Sequence, residues 1–493
     1  MDNPTSIADR SRPLAARVVP WVVALLALGV AATGAWHYAA LDLTLSHYDA
    51  RGHLIVARRM FDSLTPGWRQ IGAVWLPLPH VIDLPAVWSD WAYRTGYLVV
   101  LVSMTAVATG LFALARFLLR TTGSVEAAII GPALIITNPN VLYLTSTPMT
   151  EPLLFGLSLV SLALAERWVR TDRHRDLTWL SVSLTALTWT RYEGWLIAGS
   201  LAAAVFAVTV RTRGWRSVTP SIAIALAVGA FLVLGWATTG SWFTTSGFFA
   251  PDNGAAGKLV ASLQQVHHGM IQLGGLLVVA GGLAGMAACA WLAASRGSRA
   301  YLALSLMAAA VLPVYAFFQG HPYRIRYMVP LVVATAVLTA VAVGTLPRRL
   351  RWVAAALLAA GSWYTQPLFD PQAPMVLEAQ WERPYRQARQ AVTAYLVRAH
   401  DGTPVLASMG SLGHYMQETA ESGFPLRTFL HEGNGDLWKA ALAAPGRHVR
   451  WVLVEERAEG GDLLFSRATA DPTYLSAFDR VAEGGGMALY RRR

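Results

Sequence analysis

The chain has 493 residues, 54% of them apolar and only 14% charged, where soluble domains carry about 25% charged residues, so this is a membrane composition. Its net charge of +11 would suit nucleic acid, but the arginines fall in short clusters between apolar stretches, as polytopic chains place them to fix orientation. No nucleic-acid partner is expected, and the single Cys289, inside an apolar stretch, excludes a disulfide framework or a cysteine metal site.

About 20 apolar residues in helical form cross the hydrocarbon core. Eleven stretches approach that rule, at roughly 20–40, 95–115, 125–143, 150–165, 177–191, 194–210, 217–238, 272–294, 300–318, 327–346 and 351–365. The first runs from Trp21 to Ala40 without a small-residue cleavage site and reads as a retained anchor. With the N-terminus inside, Arg10/Arg12/Arg17, Arg116/Arg120, Arg167 to Arg175, Arg211/Arg213/Arg216, Arg296/Arg299 and Arg348/Arg349/Arg351 all become cytoplasmic, seventeen arginines in total. The short outer connections then hold Arg191, Lys258, Arg324 and Arg326, the asymmetry that the positive-inside rule requires. Basic residues are almost all Arg and Ala is abundant, which points to a GC-rich bacterial source and so to the bacterial inner membrane.

This topology leaves outside the long first loop 41–94, the turn near 139–150, the loop 239–271 and everything after 366. In the first loop, Asp49 to Ser63 reads as a helix with Leu54, Ala57 and Phe61 on one face and Arg51, Arg58, Arg59 and Asp62 around the others. Ile71 to Trp88 is apolar but carries Pro77, Pro79 and Pro85, so an interfacial or re-entrant segment is expected in place of a straight span. Beyond Gln366, strand-like runs at 405–408, 449–454 and 487–490 alternate with helical stretches at 411–418, 435–443 and 461–469, the pattern of a small α/β domain. The expected division is therefore a membrane domain over 1–365, including the first loop, and an extracytoplasmic α/β domain over 366–493.

All the polar clusters fall on the outer side. Asp49 and His53, four apart, share a helix face, and a carboxylate beside a low-dielectric wall can serve as general base for a hydroxyl; Asp49 reads equally as a helix cap. Glu151, in Thr150-Glu151-Pro152, sits in a first helical turn, where the dipole favours an anion; capping and a second catalytic carboxylate are both open. Arg191-Tyr192-Glu193 interrupts two apolar spans, and ionisable groups at membrane depth are functional by default, although an internal Arg191–Glu193 pair would also account for them. His321-Pro322-Tyr323-Arg324-Ile325-Arg326-Tyr327 opens the tenth span with two arginines against the local charge bias. Their donor forks match phosphate oxygens, while solvated anchors are the plain alternative. His80, after Trp75-Leu76-Pro77-Leu78-Pro79, and Arg58 complete the candidate substrate contacts. His267 and His268 are adjacent and point to different helix faces, and Asp252 reads as a turn, so no metal is expected.

The order and sidedness of His47-Tyr48-Asp49, the Trp-Leu-Pro-Leu-Pro-His run and Arg324-Ile325-Arg326-Tyr327-Met328-Val329-Pro330 resemble those of the GT-C superfamily of polyprenyl-phosphate-sugar-dependent glycosyltransferases. The likeness is to its protein O-mannosyltransferase and lipid A aminoarabinose transferase branch, and it covers about residues 40–365. It implies an α-helical polytopic fold of about eleven transmembrane helices and inverting sugar transfer from a polyprenyl-phosphate donor to a hydroxyl, without a cofactor. Asp49 would match the first-loop acidic residue that contacts or deprotonates the acceptor, with Arg324 and Arg326 near the donor phosphate. The mannosyltransferases have two adjacent acidic residues in that loop, whereas Ala50 follows Asp49 here. A lipid or glycan acceptor is therefore expected in preference to a protein, with Glu151 as the partner of Asp49. A flippase for lipid-linked sugars would instead place ionisable residues near the bilayer midplane, and an inactive membrane scaffold is the third alternative.

Overall fold

The computed structural model describes residues 14–72, 74–243, 253–458 and 460–493; Arg10, Arg12 and Asp252, named above, lie outside them. Helix α1 (Leu14–Ala40) leads into a first loop that carries α2 (Tyr48–Arg58), α3 (Pro77–Val87) and α4 (Asp90–Thr95). There follow α5 (Tyr97–Thr122), α6 (Val125–Ile136), α7 (Pro139–Thr145), α8 (Glu151–Thr171), α9 (His174–Thr188), α10 (Tyr192–Arg213) and α11 (Thr219–Thr239). Next come α12 (Leu259–Gly274), α13 (Leu276–Arg296), α14 (Val311–Phe318), α15 (Val329–Thr345) and α16 (Arg348–Thr365). Tighter helical segments, Arg299–Ala310 and Ile325–Met328, run into α14 and α15.

All eleven apolar stretches are thus helical. Among the described residues eight helices are long and apolar enough to cross a membrane, and the α6–α7 pair, bent by 70°, makes a ninth if it is one span. The bend falls at Asn138-Pro139: a residue before proline is pushed out of the helical region, and the Asn138 side chain caps α7 by accepting from the Asn140 and Val141 N–H groups. Helix α9, with 15 residues, is about 22 Å long, short of the ~30 Å hydrocarbon core. Helix α16 opens on Arg348, Arg349 and Arg351 and is apolar only beyond them.

The bundle centres on α15, all but two of whose residues are buried. It meets α13 through Gly281, Gly282 and Gly285, which lie against Thr339, Thr335 and the Leu338 backbone, and Thr339 donates across the interface to the Val278 carbonyl at 3.0 Å. Gly110 and Gly156 bring α5 and α8 equally close. Lipid tails are as apolar as these side chains, so backbone proximity and cross-helix hydrogen bonds hold such interfaces together.

The C-terminal part adds α17 (Pro374–Glu378), α18 (Arg383–Ala399), β1 (Val405–Ala407), α19 (Met409–Glu418), β2 (Phe429–Leu430), α20 (Asp436–Ala443), α21 (Pro445–His448), β3 (Trp451–Glu455), α22 (Leu463–Ala470), β4 (Phe478–Gly484) and β5 (Met487–Arg492). The sheet order is β2-β1-β3-β5-β4, with β2, β1 and β3 parallel and the β5 and β4 pairings antiparallel. Alternate residues divide between its two faces: Leu406, Val452, Val454 and Ala488 pack toward α20 and α22, and Val405, Trp451, Leu453 and Leu489 toward α18 and α19. Leu54, Ile55 and Ala57 of α2 join this second core, with Tyr415 and Met416 of α19. Asp62 accepts from the Leu426 and Arg427 N–H groups, and Gln417 donates to the Tyr93 carbonyl at 2.9 Å. The first loop, grouped above with the membrane helices, therefore shares a hydrophobic core with the C-terminal sheet.

A side chain at Gly285 or Gly156 would run into the Leu338 or Ala106 carbonyl oxygen, whereas Gly29 has open space around it. Gly285→Val and Gly156→Val should each destabilise the protein by roughly 1–3 kcal/mol or more through overpacking, seen as a lower unfolding temperature in detergent. Gly29→Ala should leave that temperature unchanged.

Candidate active site

Helix α2 starts where the chain leaves α1. His47, in extended backbone, caps it: its Nδ1 accepts the Asp49 N–H at 3.1 Å and so fixes Asp49 in the first turn. The Asp49 carboxylate forms an ion pair with Arg326, from the segment that opens α15, and both side chains are buried. The Arg326 guanidinium also lies over the Tyr48 and Tyr327 rings, at 6.0 and 5.7 Å from their centroids. Burial alone would push the Asp49 carboxyl up, but the Arg326 guanidinium beside it holds it down at about 2.

Around this pair stand further groups. His47 Nε2 lies 3.4 Å from Glu378 Oε1 of α17. Burial opposes the charge on Glu378, yet His47, Arg326 and Arg324 keep its carboxyl below the usual range. Arg324 sits over the Trp381 ring at 5.2 Å. His53 Nδ1 is 3.1 Å from His80 Nε2, and its ring packs on Trp75 at 4.2 Å. Burial and each other's proximity drive His53 well below 6.5, and burial drives His80 to about 3, so both are neutral.

Arg191 organises the adjoining cluster. It donates to Glu193 through two nitrogens, at 2.9 and 3.2 Å, and to Thr150 Oγ1 at 2.9 Å. Its Nη1 lies 3.0 Å from Glu151 Oε1, an ion pair without the alignment of a hydrogen bond. Glu151, the first residue of α8, is wholly buried and lies within electrostatic reach of Arg326. The basic termini gather at the other end of the bundle: Arg213 donates to the Trp168 and Val169 carbonyls, Arg216 pairs with Asp172, and Arg120 with Glu166.

Asp49, His53, His80, Glu151, Arg191, Glu193, Arg324, Arg326 and Tyr327 thus come together from five separate parts of the chain. Three expected contacts do not. Arg58 is clamped between the Phe61 and Tyr93 rings and donates to Asp62 and the Val87 carbonyl, which ties α2 to the end of α3. Tyr192 donates to the Val74 carbonyl at 2.8 Å and anchors the first loop on α10. Tyr323 packs on Phe317 and reaches Gln272 at 3.5 Å. His80 is fully buried and meets the cluster only through His53. Sequence reasoning passed over Trp381 and Glu378; the signal for the latter was one acid closing the apolar turn Met375-Val376-Leu377.

The membrane-length helices, the structured first loop and the C-terminal α/β unit together make up the fold. Two solved structures of ArnT from Cupriavidus metallidurans share it. The apo state superposes with a TM-score of 0.58 at 16% identity, and the form bound to undecaprenyl phosphate with 0.52 at 14%; each match covers 95% of this chain and 97% of that one. At that identity the fold is what is shared. No family model and no curated protein sequence matches the chain.

Because the Asp49 carboxyl is depressed in the folded state, its contribution to stability is present above its unfolded value near 4 and is lost as pH falls through about 2. Acid titration over that window should remove about 2 kcal/mol from this pair. Asp49→Asn should flatten the window and, by leaving Arg326 buried without a counter-charge, cost roughly 3–5 kcal/mol; unfolding temperature against pH in detergent measures both.

Proposed function

We propose that the protein is an inverting glycosyltransferase that moves a sugar from a polyprenyl-phosphate donor to a hydroxyl of a lipid or glycan acceptor. The observation that carries this is the buried pairing of Asp49 with Arg326 at the mouth of the bundle, a base and an anion-binding group brought together from opposite ends of the membrane part. The bound lipid of the ArnT structure, undecaprenyl phosphate, supports the donor class.

In this mechanism Arg326, with Arg324 beside it, takes the donor phosphate in place of Asp49. The arginine fork suits phosphate oxygens and keeps its charge at any working pH. Once phosphate neutralises the arginine, Asp49 loses the charge that holds its carboxyl near 2, and burial raises it toward the range of an effective base. The acceptor oxygen then attacks the anomeric carbon from the face opposite the phosphate. Its proton passes to Asp49, the bond from the anomeric carbon to the phosphate oxygen breaks, and the lipid phosphate leaves with the electron pair, stabilised by the arginines. Glu151 and Glu193 hold Arg191 beside the site and support the base. The base therefore becomes competent only when the donor is in place.

The arginine-rich loops support a topology with the N-terminus in the cytoplasm and the site, the first loop and residues 366–493 outside, in keeping with a bacterial inner membrane. A flippase is disfavoured because, among the described residues, ionisable side chains of the spans cluster near helix ends and away from the midplane. Turnover of a polyprenyl-phosphate sugar by the purified protein is the test. Asp49→Asn should lower kcat by about 100- to 10,000-fold, the scale of general-base catalysis; a rate within a few-fold of wild type would contradict the assignment.

A further inference from the structure

Helix α17 follows the last membrane helix and closes the site from the C-terminal side. It is pinned at both ends: the Met375 N–H donates to Asn140 Oδ1 at 3.0 Å, and the Ala379 carbonyl accepts from Ser46 Oγ at 2.8 Å. Glu378 is therefore held in place, with 4% of its surface exposed. Its oxygens differ in kind. Because His47 Nδ1 is committed to accepting from the Asp49 N–H, the ring's proton is on Nε2 and is directed at Glu378 Oε1. Oε2 is buried and has no hydrogen-bond partner. A buried carboxylate oxygen left unpaired is costly, and in a native structure it calls for an explanation.

We infer that Glu378 is a sugar-binding residue, its free Oε2 accepting a hydrogen bond from a hydroxyl or amino group on the sugar of the lipid-phosphate donor; this rests on the function proposed above. Glu378 lies within electrostatic reach of both Arg324 and Arg326. In a glycosyl phosphate the sugar is one bond beyond the phosphate, so an acceptor beside the phosphate-holding arginines faces the sugar. Neither an ionised phosphate nor a prenyl chain offers a hydrogen-bond donor, and only the sugar part of the donor can satisfy Oε2. The acceptor's hydroxyl is the competing source, but the proposed mechanism commits it to Asp49. The residue thus gives the C-terminal segment a direct part in substrate recognition: it separates charged donor from spent lipid phosphate.

The test compares two ligands on the full-length protein in nanodiscs: undecaprenyl phosphate, and undecaprenyl phosphate bearing a pentose or a hexose. Wild type should bind at least one sugar-bearing lipid more tightly than the bare phosphate. Glu378→Gln keeps an oxygen for the His47 Nε2–H but loses the charge. It should weaken sugar-lipid binding by about ten-fold relative to undecaprenyl phosphate, the scale of a charge-assisted hydrogen bond, while binding of the bare lipid phosphate is retained or tightens and certifies the fold. Glu378→Asp, which keeps the charge and withdraws the oxygens, should shift the same ligand in the same direction. Equal binding of the sugar-bearing lipids by wild type and both variants overturns the inference, as does a loss confined to the KM of the acceptor. Failure of wild type to bind undecaprenyl phosphate at all would instead overturn the function on which it rests.

Discussion

The ion pair between Asp49 and Arg326 is the constraint on which the site depends. It joins the first residues of the outer loop to the opening of α15, the most buried helix of the bundle. Two charges taken out of water gain little net stability from each other, and removal of either leaves the other stranded, so such a pair serves better as a device than as a staple. Here it sets a distance and a charge state. The carboxylate is kept ionised in a place where burial would neutralise it, and the arginine is supplied with a counter-charge.

The surroundings of the pair follow from the way the first loop is held. Its α2 is buried on one side against the α19 face of the C-terminal sheet and meets the membrane-helix core through Ala50 on the other. Arg51 bonds Gln417, whose amide donates to the Tyr93 carbonyl, and Asn434 reaches Ser63 at 3.0 Å. Loop and sheet are one packed body, which sets Asp49 and His47 against the arginines of the bundle, while Glu378 comes from α17, packed with the membrane helices. Catalytic groups need placement within about half an ångström, and a free loop would not provide it. The 70° bend at Asn138-Pro139 contributes as well, since Asn138 and Asn140 both donate to the Leu273 carbonyl and Asn140 anchors α17.

Much of this was legible in the sequence. Apolar length located the helices, and the prolines after Ile71 forecast an interfacial or re-entrant segment in place of a straight span, where the structure has the short, half-buried α3. The arginine bias put Asp49, Glu151, Arg191 and Arg326 at one end, where the structure has them. Local periodicity could not show which charges meet: Arg58 and Arg326 look alike in sequence, and only the packing of Phe61 and Tyr93 around one and of Tyr48 and Tyr327 around the other divides them. Glu378 was invisible for a similar reason, as its partner His47 lies 331 positions away. Strands β2 and β4 escaped notice because β2 has two residues and β4 is largely exposed, so neither carries an apolar run.

The central claim is that donor phosphate and Asp49 compete for the same arginine. Affinity of the full-length protein for undecaprenyl phosphate, wild type against Asp49→Asn, measures that competition directly. The account predicts tighter binding by the variant, and a larger rise of its unfolding temperature on adding the lipid phosphate, because an unneutralised Arg326 gains a counter-ion. Binding that is weakened or unchanged by the substitution would show that Asp49 and the phosphate do not share Arg326, and would contradict it.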